Sequence, residues 1–500
     1  MSAILAIDQG TTGSTALVLS QQGEVLGRAY SEFTQYYPEP GWVEHDAEEI
    51  WQVSCRVMVA ALADAGVAEG ELSAIGITNQ RETTVIWDRV TGKPVYHAIV
   101  WQSRQSGAIC ERLRNDGYEP LFRERTGLVI DPYFSGTKIR WILDRDPDLQ
   151  QRADDGELAF GTIDSWLLWN LTGGRSSVGA VHATEPTNAS RTLLYNIQSH
   201  KWDPELCRLL GVPTAILPEV KPSSGVFGET VAVNGIPAGI PIAGMAGDQQ
   251  AALYGQGCWQ AGQAKNTYGT GCFLLMNMGA EMPVSQHGLL TTICCDAYGQ
   301  PAYALEGSVF IAGAAIQWLR DEMGLLNDAG ESENLALQLD GNDGVYMVPA
   351  FTGLGAPYWD MQARGAILGL TRGTGQAHIV RAALESIAYQ TRDIVEAMNK
   401  DSGIELTELR VDGGASKNNF LMQFQADLLA VPVDRPELVE STAVGCAFLA
   451  GLAVGLWRNP DALKGARKSE RIFQPVMPLK QREVLYADWL TAVARIRTTE

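Results

Sequence analysis

Residues 4–20 have the sequence ILAIDQGTTGSTALVLS, in which two apolar, β-prone runs surround a loop of small and hydroxylated residues. The runs ILAI and ALVL predict the two strands of a hairpin. Gly10 and Gly13 let the connecting backbone turn sharply and bring N–H groups close to an anion. Asp8 is expected at the rim of this loop, where a magnesium ion could bind. Many hairpins carry a Gly/Thr turn for conformational reasons alone, so this stretch by itself leaves phosphate binding open.

A second loop of the same kind lies in residues 266–276, NTYGTGCFLLM, where a Gly-Thr-Gly turn around Thr270 precedes an apolar strand. Two such hairpins in an α/β chain predict related domains that face a common nucleotide, as in the actin-like ATPase architecture. A Gly/Pro-rich segment, residues 235–241, precedes a predicted strand that ends in GDQQ, and we place the domain boundary just beyond it. The predicted domains are residues 1–254 and residues 255–500, the second ending in a helical tail.

The composition limits the function classes. The chain has 500 residues, more than one hydrophobic core usually serves, and its net charge of -20 argues against a nucleic-acid partner. Its eight cysteines form no C-x-x-C pair, and the adjacent Cys294 and Cys295 lie in an apolar run, which favours a reducing compartment. The sequence shows no basic leader and no apolar run of about 18 residues, so we expect a soluble, cytoplasmic protein without an integral membrane segment.

Polar residues follow a predicted buried strand, residues 73–78, in the order Asn-Gln-Arg-Glu. In parallel α/β sheets, ligands bind at the carboxyl ends of the strands. Arg81 and Glu82 offer a donor fork and an acceptor side by side at such an end, which suits the hydroxyls of a small polyol. The alternative is a surface ion pair on a hairpin, which is the more frequent fate of such a dipeptide.

Asp248 also follows a predicted strand, IAGMAG, and two glutamines come after it. A carboxylate there can accept the proton of a hydroxyl whose oxygen attacks a phosphoryl group. The alternative is a capping aspartate at the start of the helix predicted for residues 249–255. Position alone leaves both interpretations open.

Aromatic residues and a glycine-rich turn are further candidates. Trp101, Tyr133 and Phe273 could form an apolar wall for the carbon face of a substrate, or could belong to the core. The turn at residues 412–414 offers backbone N–H groups to a nucleotide, although Gly-Gly at a strand–helix junction is often only a turn. The chain contains no P-loop motif, no H-E-x-x-H and no G-x-S-x-G. Magnesium, loop amides and hydroxyls would therefore have to meet the charge of a transferred phosphoryl group.

These residues belong to longer stretches that resemble one known family. The stretches include DQGTT at 8–12, GWVEHD at 41–46, GITNQRET at 76–83, AGDQQAAL at 246–253, KNTYGTGCF at 265–273 and VDGGASKNNFLMQFQ at 411–425. Over residues 4–457 the chain resembles the FGGY carbohydrate kinase family, and within it the members that phosphorylate glycerol. The resemblance implies an α/β chain with the actin-like ATPase fold, made of two ribonuclease-H-like domains with the active site in the cleft between them.

The resemblance also implies a reaction and a role for each candidate residue. ATP and glycerol would give ADP and sn-glycerol 3-phosphate by in-line transfer as the domains close, with Asp248 as the base. Glycerol would be held by Arg81, Glu82, Trp101, Tyr133, Asp248, Gln249 and Phe273. The ATP phosphates would contact Thr11, Thr12, Gly13 and Thr270, and the ADP site would be lined by Gly313, Gln317, Gly414 and Asn418. Asp8 would position Mg²⁺, and the protein would form a homodimer or homotetramer.

Three positions depart from the pattern of the family. Gly13 and Thr15 replace a serine and an arginine of the first loop, which removes a positive charge near the phosphates. Gly239 stands where enterobacterial relatives have an arginine that binds fructose 1,6-bisphosphate, so we do not expect inhibition by that compound. Two alternatives stay open. One is a kinase of the same family that acts on another small polyol or ketose, and the other is a non-catalytic actin-like nucleotide switch.

Overall fold

The computed structural model describes residues 2–67, 69–174 and 179–498. The strands of the first half are β1 (Ala3–Gln9), β2 (Gly13–Ser20), β3 (Val25–Glu32), β4 (Glu44–His45), β5 (Leu72–Asn79), β6 (Val85–Asp88), β7 (Ala98–Ile99), β8 (Leu158–Gly161), β9 (Ala183–Thr184), β10 (Tyr195–Asn196), β11 (Lys201–Trp202), β12 (Glu219–Val220), β13 (Ser224–Glu229) and β14 (Pro241–Gly247). Its helices are α1 (Ala47–Ala65), α2 (Gly107–Asn115), α3 (Glu119–Thr126), α4 (Ser135–Leu143), α5 (Pro147–Asp154), α6 (Ile163–Leu171), α7 (Pro186–Ala189), α8 (Pro204–Leu210) and α9 (Asp248–Gly255).

The second half follows the same alternation of strands and helices. Its strands are β15 (Ala264–Tyr268), β16 (Cys272–Gly279), β17 (Leu290–Cys295), β18 (Pro301–Val309), β19 (Tyr346–Val348), β20 (Ala366–Leu368), β21 (Leu409–Asp412), β22 (Val433–Pro436) and β23 (Ser469–Phe473). Its helices are α10 (Gly313–Asp321), α11 (Glu331–Ala336), α12 (Gln376–Ser402), α13 (Asn419–Leu429), α14 (Ser441–Ala453), α15 (Asp461–Lys464) and α16 (Leu479–Ala494). Short 3₁₀ turns cover Glu69–Glu71, Thr214–Ile216 and Gly414–Lys417.

Two mixed sheets form the centre of the molecule, and they repeat one topology. Written in the same direction, the strand orders are β3-β2-β1-β5-β14-β13 and β17-β18-β16-β15-β21-β22-β23. In the first sheet β1 pairs antiparallel with β2 and parallel with β5. In the second sheet β15 pairs antiparallel with β16 and parallel with β21. The two Gly/Thr hairpins therefore occupy equivalent places, which confirms the predicted duplication.

Long amphipathic helices cover these sheets because their apolar residues recur at helical spacing. Helix α1 begins at Asp46, whose side chain accepts the N–H of Glu48, and ends at Gly66 with a φ of 61°. Helix α12 is buried along most of its length and ends at Gly403, with a φ of 66°. The sequence pattern predicts helices at about residues 46–65 and 376–402, and both are present within a residue of these bounds because their caps are local signals.

Helix α14 joins the two halves. It comes from the second half of the chain, yet its buried residues pack in one core cluster with Ile4, Leu17 and Ala243 of the first sheet. It also crosses α9 in contact, because a Cβ on Gly445 would lie 1.8 Å from the carbonyl oxygen of Ala251. Division of the chain at residue 255 therefore separates two parts of one hydrophobic core.

The C-terminal region is less purely helical than the sequence predicts. Helix α16 is present, but Ser469–Phe473 forms β23, which pairs antiparallel with β22 at the edge of the second sheet. The alternation in SERIF is short, so sequence periodicity alone gave it little weight. Within the ranges that the structure describes, no helix combines the length and apolar character needed to cross a bilayer.

Candidate active site

The carboxyl ends of two neighbouring strands bring the first polar groups together. Strand β5 ends at Asn79, which lies opposite Gly247 at the end of β14. The residues that follow, Arg81 and Asp248, are therefore adjacent, and Nε of Arg81 lies 3.2 Å from Oδ1 of Asp248. A Cβ on Gly247 would come within 2.7 Å of the Arg81 side chain. Glycine at this position thus lets the arginine lie flat against the strand end.

Asp248 is both a helix-terminal residue and an accessible carboxylate. It is the first residue of α9, and its Oδ1 accepts the N–H of Gln249 at 2.7 Å. The side chain is 27% exposed. Among the residues that the structure describes, no donor bonds to its Oδ2. Burial raises the pKa of Asp248, while the positive charges of Arg81 and Lys265 act in the opposite direction. The carboxylate therefore has one anchored oxygen and one oxygen that a ligand can reach.

Arg81 and Glu82 do not form a surface ion pair, because both side chains are only 2% exposed. Arg81 donates from Nη1 and Nη2 to the two carboxylate oxygens of Glu306, at 2.6 and 3.0 Å. Glu82 accepts from Nε of Arg191 at 2.6 Å. Neither Arg191 nor Glu306 was among the residues selected from the sequence. A single glutamate inside the otherwise apolar strand ALEGSVF was the signal that could have pointed to Glu306.

The backbone of Glu82 is held in an unusual conformation. Its φ is 60°, in the left-handed region, which costs a non-glycine residue about 1–2 kcal/mol. Its carbonyl oxygen accepts from Oγ of Ser135 at 3.0 Å and from Nζ of Lys138 at 3.3 Å. Nζ of Lys138 also donates to the carbonyl of Tyr133 at 2.5 Å, and burial lowers the pKa of this lysine to about 7. Lys138, another residue not predicted, thus fixes two of the predicted contact residues.

The predicted aromatic residues lie in contact with one another, and Tyr133 also packs against a core cluster. The rings of Trp101 and Tyr133 lie edge to face at 5.6 Å between centroids, and those of Trp101 and Phe273 at 6.0 Å. All three are partly exposed. Nε1 of Trp101 donates to Oγ1 of Thr11 at 2.9 Å. This bond places the aromatic wall directly beside the first hairpin loop.

Gln249 is buried and bonded to a lysine that the sequence interpretation missed. Nζ of Lys265 donates to Oε1 of Gln249 at 2.5 Å and to Oγ1 of Thr267 at 2.8 Å. Burial lowers the pKa of Lys265 to about 8, while the carboxylates of Asp412 and Asp248 favour its charged form. Lys265 begins the motif KNTYGTGCF, so its place in β15 was visible but its partner was not. It supplies positive charge close to the accessible carboxylate.

The first hairpin loop has the predicted turn. The N–H of Gly10 donates to the carbonyl of Gly13 at 3.0 Å, and Thr12 is exposed between them. Gly13 is required by a close approach, because a Cβ there would lie 2.7 Å from both the carbonyl oxygen of Ser31 and the ring of Tyr30. A serine in this place would therefore require the neighbouring strand β3 to move.

Asp8 lies deeper than the rim position expected for it. Strand β1 continues through Gln9, so Asp8 lies within the strand, opposite Thr15. Burial raises the pKa of Asp8 to about 7, with further contributions from the carboxylates of Asp248 and Glu440. The difference from the sequence expectation arises because the ladder between β1 and β2 extends to the last two residues before the turn.

The second hairpin loop contacts the start of a helix. Gly313, the first residue of α10, donates its N–H to the carbonyl of Gly269 at 3.0 Å. A Cβ on Gly313 would lie 2.6 Å from that carbonyl oxygen, so only glycine permits the contact. Thr270 is exposed in the turn, and Gln317 is exposed one turn further along α10. Thr270, Gly313 and Gln317, three of the residues predicted to contact the nucleotide, therefore lie at the same end of the second sheet.

The glycine-rich turn after β21 lies beside the same hairpin. Gly413 has a φ of 85°, and a Cβ there would lie 2.5 Å from the carbonyl oxygen of Tyr268. Gly414 is exposed, with no atom within 4 Å of a Cβ position. The side chain of Asn418 caps α13 by accepting the N–H of Leu421 at 2.9 Å. Gly413 therefore serves the turn itself, whereas Gly414 leaves open surface.

The carboxylates suit a hydrated magnesium ion better than a fully protein-coordinated one. Within the described residues, no group of three or more His, Cys, Asp or Glu side chains is arranged to hold a metal. Mg²⁺ usually keeps several waters and takes one or two carboxylates together with substrate phosphates. Asp8 and Asp248 fit this pattern, since their mutual repulsion contributes to the raised pKa of Asp8 and a cation would relieve it.

Comparisons with known proteins identify the family to which this chain is similar. Sequence models described as the FGGY family of carbohydrate kinases, N-terminal domain and C-terminal domain, match residues 3–255 and 264–454. The chain is 58% identical over 490 residues to a glycerol kinase of Geobacillus kaustophilus, with 98% of each chain covered. It is 58% identical over 495 residues to a glycerol kinase of Symbiobacterium thermophilum, covering 99% of this chain and 98% of that one.

Solved structures give the same result for the fold. A crystal structure of Plasmodium falciparum glycerol kinase with ADP matches with a TM-score of 0.92 and 37% identity, covering 100% of this chain and 99% of that chain. A ligand-bound xylulose kinase from Lactobacillus acidophilus matches with a TM-score of 0.87 and 20% identity over 99% of both chains, which supports the fold alone. The predicted two-domain actin-like fold is confirmed.

Proposed function

Because the chain belongs to the FGGY family of carbohydrate kinases, we propose that it transfers the γ-phosphoryl group of ATP to glycerol, giving ADP and sn-glycerol 3-phosphate. The relatives that match it at 57–58% identity over nearly the whole chain are glycerol kinases. The observation that carries the proposal is the position of Asp248 at a strand end beside Arg81, where no donor among the described residues bonds to its Oδ2. A non-catalytic nucleotide switch would not need a carboxylate in this position.

Asp248 is the base of the proposed reaction. Its Oδ1 is held by the N–H of Gln249 and by Arg81, which leaves Oδ2 to accept the proton of the attacking hydroxyl. Burial alone would favour the protonated carboxyl, and the charges of Arg81 and Lys265 oppose this effect. A carboxylate balanced in this way can be ionised before the reaction and still take up a proton during it.

Glycerol fits a site that is polar on one side and aromatic on the other. Arg81, Glu82 and Gln249 supply donors and acceptors for the hydroxyls. The carbon face packs against the rings of Trp101, Tyr133 and Phe273, which lie edge to face with centroid separations of 5.6 and 6.0 Å.

ATP binds across the two hairpin loops. We assign its phosphates to Thr11, Thr12 and Gly13 on one side and to Thr270 on the other. The rest of the nucleotide is assigned to the surface lined by Gly313, Gln317, Gly414 and Asn418. Asp8 would hold Mg²⁺ through water, and when bound the ion supplies positive charge that neutralises the phosphate oxygens. Thr15, opposite Asp8 in the ladder of β1 and β2, brings no positive charge to this region.

Regulation, assembly and location complete the proposal. Gly239 is exposed in the loop between β13 and β14, with a φ of 81° and no atom within 4 Å of a Cβ position, so no side chain there can hold a sugar bisphosphate. We propose that fructose 1,6-bisphosphate does not inhibit the enzyme. A cytoplasmic homodimer or homotetramer is proposed, and the eight buried free cysteines suit a reducing compartment.

The experiment that tests the proposal measures ADP release from ATP and Mg²⁺ by the purified protein, with and without glycerol. A panel of C3 to C5 polyols and ketoses is measured in parallel, and glycerol 3-phosphate is quantified. Strong turnover with glycerol and stoichiometric glycerol 3-phosphate supports the proposal. ADP release that is equal without any polyol, or that requires a larger sugar, refutes the substrate assignment while leaving the fold unaffected.

A further inference from the structure

We propose that Glu306 and Arg191 are positioning residues, which orient Arg81 and Glu82 for the polyol and thereby set the affinity of the enzyme for glycerol. The inference rests on the proposed function and extends it to two residues outside the predicted site. Together the four side chains form a charge cluster, defined here as Arg81, Glu82, Arg191 and Glu306.

Glu306 is the centre of the charge cluster. It lies on β18 of the second sheet, and its side chain is fully buried. Its two oxygens accept from Nη1 and Nη2 of Arg81 at 2.6 and 3.0 Å, and Oε1 also accepts from Nη2 of Arg191 at 3.0 Å. One carboxylate from the second half of the chain thus fixes two guanidinium groups of the first half.

Arg191 fixes the other substrate-side residue. Its Nε donates to Oε1 of Glu82 at 2.6 Å, and its guanidinium group lies 5.1 Å from the ring centre of Phe134 and 5.5 Å from that of Tyr133. The arginine is fully buried, so its direction is set by packing as well as by charge. The strained backbone of Glu82 persists only where its surroundings hold it, and the bond from Arg191 is one of the contacts that do so.

The hydrogen bonds of Arg81 explain why the orientation of its guanidinium group matters for the reaction. Both terminal nitrogens are bonded to Glu306, so the side Nε–H faces Asp248 at 3.2 Å. Without the Glu306 carboxylate, the guanidinium group can turn and pair through two nitrogens with Asp248, which is the preferred geometry of such pairs. The base would then be covered, and the hydroxyl that it must contact would be displaced.

The electrostatics show what Glu306 contributes to the charge cluster. Although burial alone would raise the pKa of Glu306, Arg191 and Arg81 hold it at about 2, so Glu306 is ionised at neutral pH. The charged groups that face Glu306 are Arg81, Arg191, Glu82 and Lys265. Removal of the Glu306 charge therefore leaves Arg81 less neutralised and free to pair with Asp248.

The test is the substitution Glu306→Gln, which keeps the shape of the side chain. We expect the KM for glycerol to rise about 10- to 100-fold, the effect of losing charge-assisted hydrogen bonds, while the KM for ATP changes less than about twofold. A merely structural role would lower the amount of folded enzyme without producing this split between the two KM values.

A matched control is Asp393→Asn, which also replaces a buried carboxyl by an amide. Asp393, on α12, accepts from the hydroxyl of Tyr486 at 2.8 Å and from the indole N–H of Trp489 at 2.9 Å. Both partners lie on α16, away from the cleft. This variant is expected to lose thermal stability with an unchanged KM for glycerol. If Glu306→Gln does not fold, Arg191→Lys provides the second test, because it keeps the charge and loses the fork, and the same rise in the glycerol KM is expected.

The outcomes distinguish this inference from the proposed function. If the unmodified protein does not phosphorylate glycerol, the proposed function fails, and the same split is measured with the polyol or ketose that it does use. If the unmodified protein is active and a folded Glu306→Gln or Arg191→Lys variant keeps its polyol KM, the inference is overturned.

Discussion

At the scale of single residues, the proposed reaction depends most directly on Asp248, its base. Substitution by Asn keeps an oxygen that can accept the N–H of Gln249, but it cannot take up a proton. We expect Asp248→Asn to lower kcat about 10²- to 10⁴-fold, the usual contribution of a general base, with ATP affinity nearly unchanged. Steady-state kinetics and nucleotide titration provide the measurements.

Asp46→Asn is the matched control, since Asp46 also accepts a helix N–H, that of Glu48, at 2.9 Å. Asparagine caps helices about as well as aspartate, so this variant should retain full activity. Persistent turnover in Asp248→Asn would show that another group accepts the proton.

The raised pKa of Asp8, about 7, predicts how the stability of the folded protein changes with pH. Between pH 4 and 7 the folded protein keeps a proton that the unfolded chain has lost, so the contribution of Asp8 to stability falls as the pH rises through this window. In Mg²⁺-free buffer, Asp8→Asn should therefore be more stable than the unmodified protein at pH 8 and not at pH 4. Because Asp8 is partly exposed, we expect a difference of about 1–2 kcal/mol, or about 1–3 °C in Tm.

Thermal unfolding at both pH values, with and without Mg²⁺, provides the measurement. Added Mg²⁺ should stabilise the unmodified protein at pH 8 and leave Asp8→Asn almost unaffected, because the substituted amide binds the ion weakly. An equal Tm difference at pH 4 and pH 8 would contradict the raised pKa.

At the scale of elements, the crossing of α9 and α14 depends on two glycines. A Cβ on Gly445 would lie 1.8 Å from the carbonyl oxygen of Ala251, and one on Gly255 would lie 2.2 Å from that of Ser441. Since these neighbours are backbone atoms, the helices would have to separate. We expect Gly445→Ala to lower the free energy of unfolding by about 3 kcal/mol, despite the better helix propensity of alanine.

Gly465→Ala is the control for this helix pair, because Gly465 has no atom within 4 Å of a Cβ position and a φ of -81°. Its effect on the free energy of unfolding should stay within about 0.5 kcal/mol. Urea denaturation of both variants measures the difference. Equal stability of the two variants would mean that α9 and α14 are not packed as closely as described.

At the scale of the whole molecule, the position of α14 predicts cooperative unfolding. The helix belongs to the second half of the sequence but completes the core under the first sheet, and Arg81 and Glu306 join the two sheets at the floor of the cleft. We therefore expect one calorimetric transition with equal van't Hoff and calorimetric enthalpies, although two-domain chains often deviate from two-state behaviour. Two separate transitions would indicate that residues 1–254 and 255–500 unfold independently.

The sequence by itself determined the parts of this protein that depend on neighbours in the chain. The hairpins around Thr11 and Thr270 follow from strand-forming runs with glycines between them, and α12 follows from its periodicity and its terminal glycine. Arg81 and Asp248 could be selected because strand ends in a parallel sheet are where ligands bind. The duplicated topology followed from finding the same hairpin twice.

Only the tertiary structure decided which charges meet. Glu306 and Arg191 lie more than 100 residues from their partners in the charge cluster, and Lys138 lies 56 residues from Glu82. No local periodicity indicates which buried carboxylate faces which guanidinium group. Their pairing depends on how two sheets and one crossing helix approach each other. The physical reason is that an unpaired buried charge is costly. A charged side chain is therefore buried only where the fold brings an opposite charge from a distant element next to it.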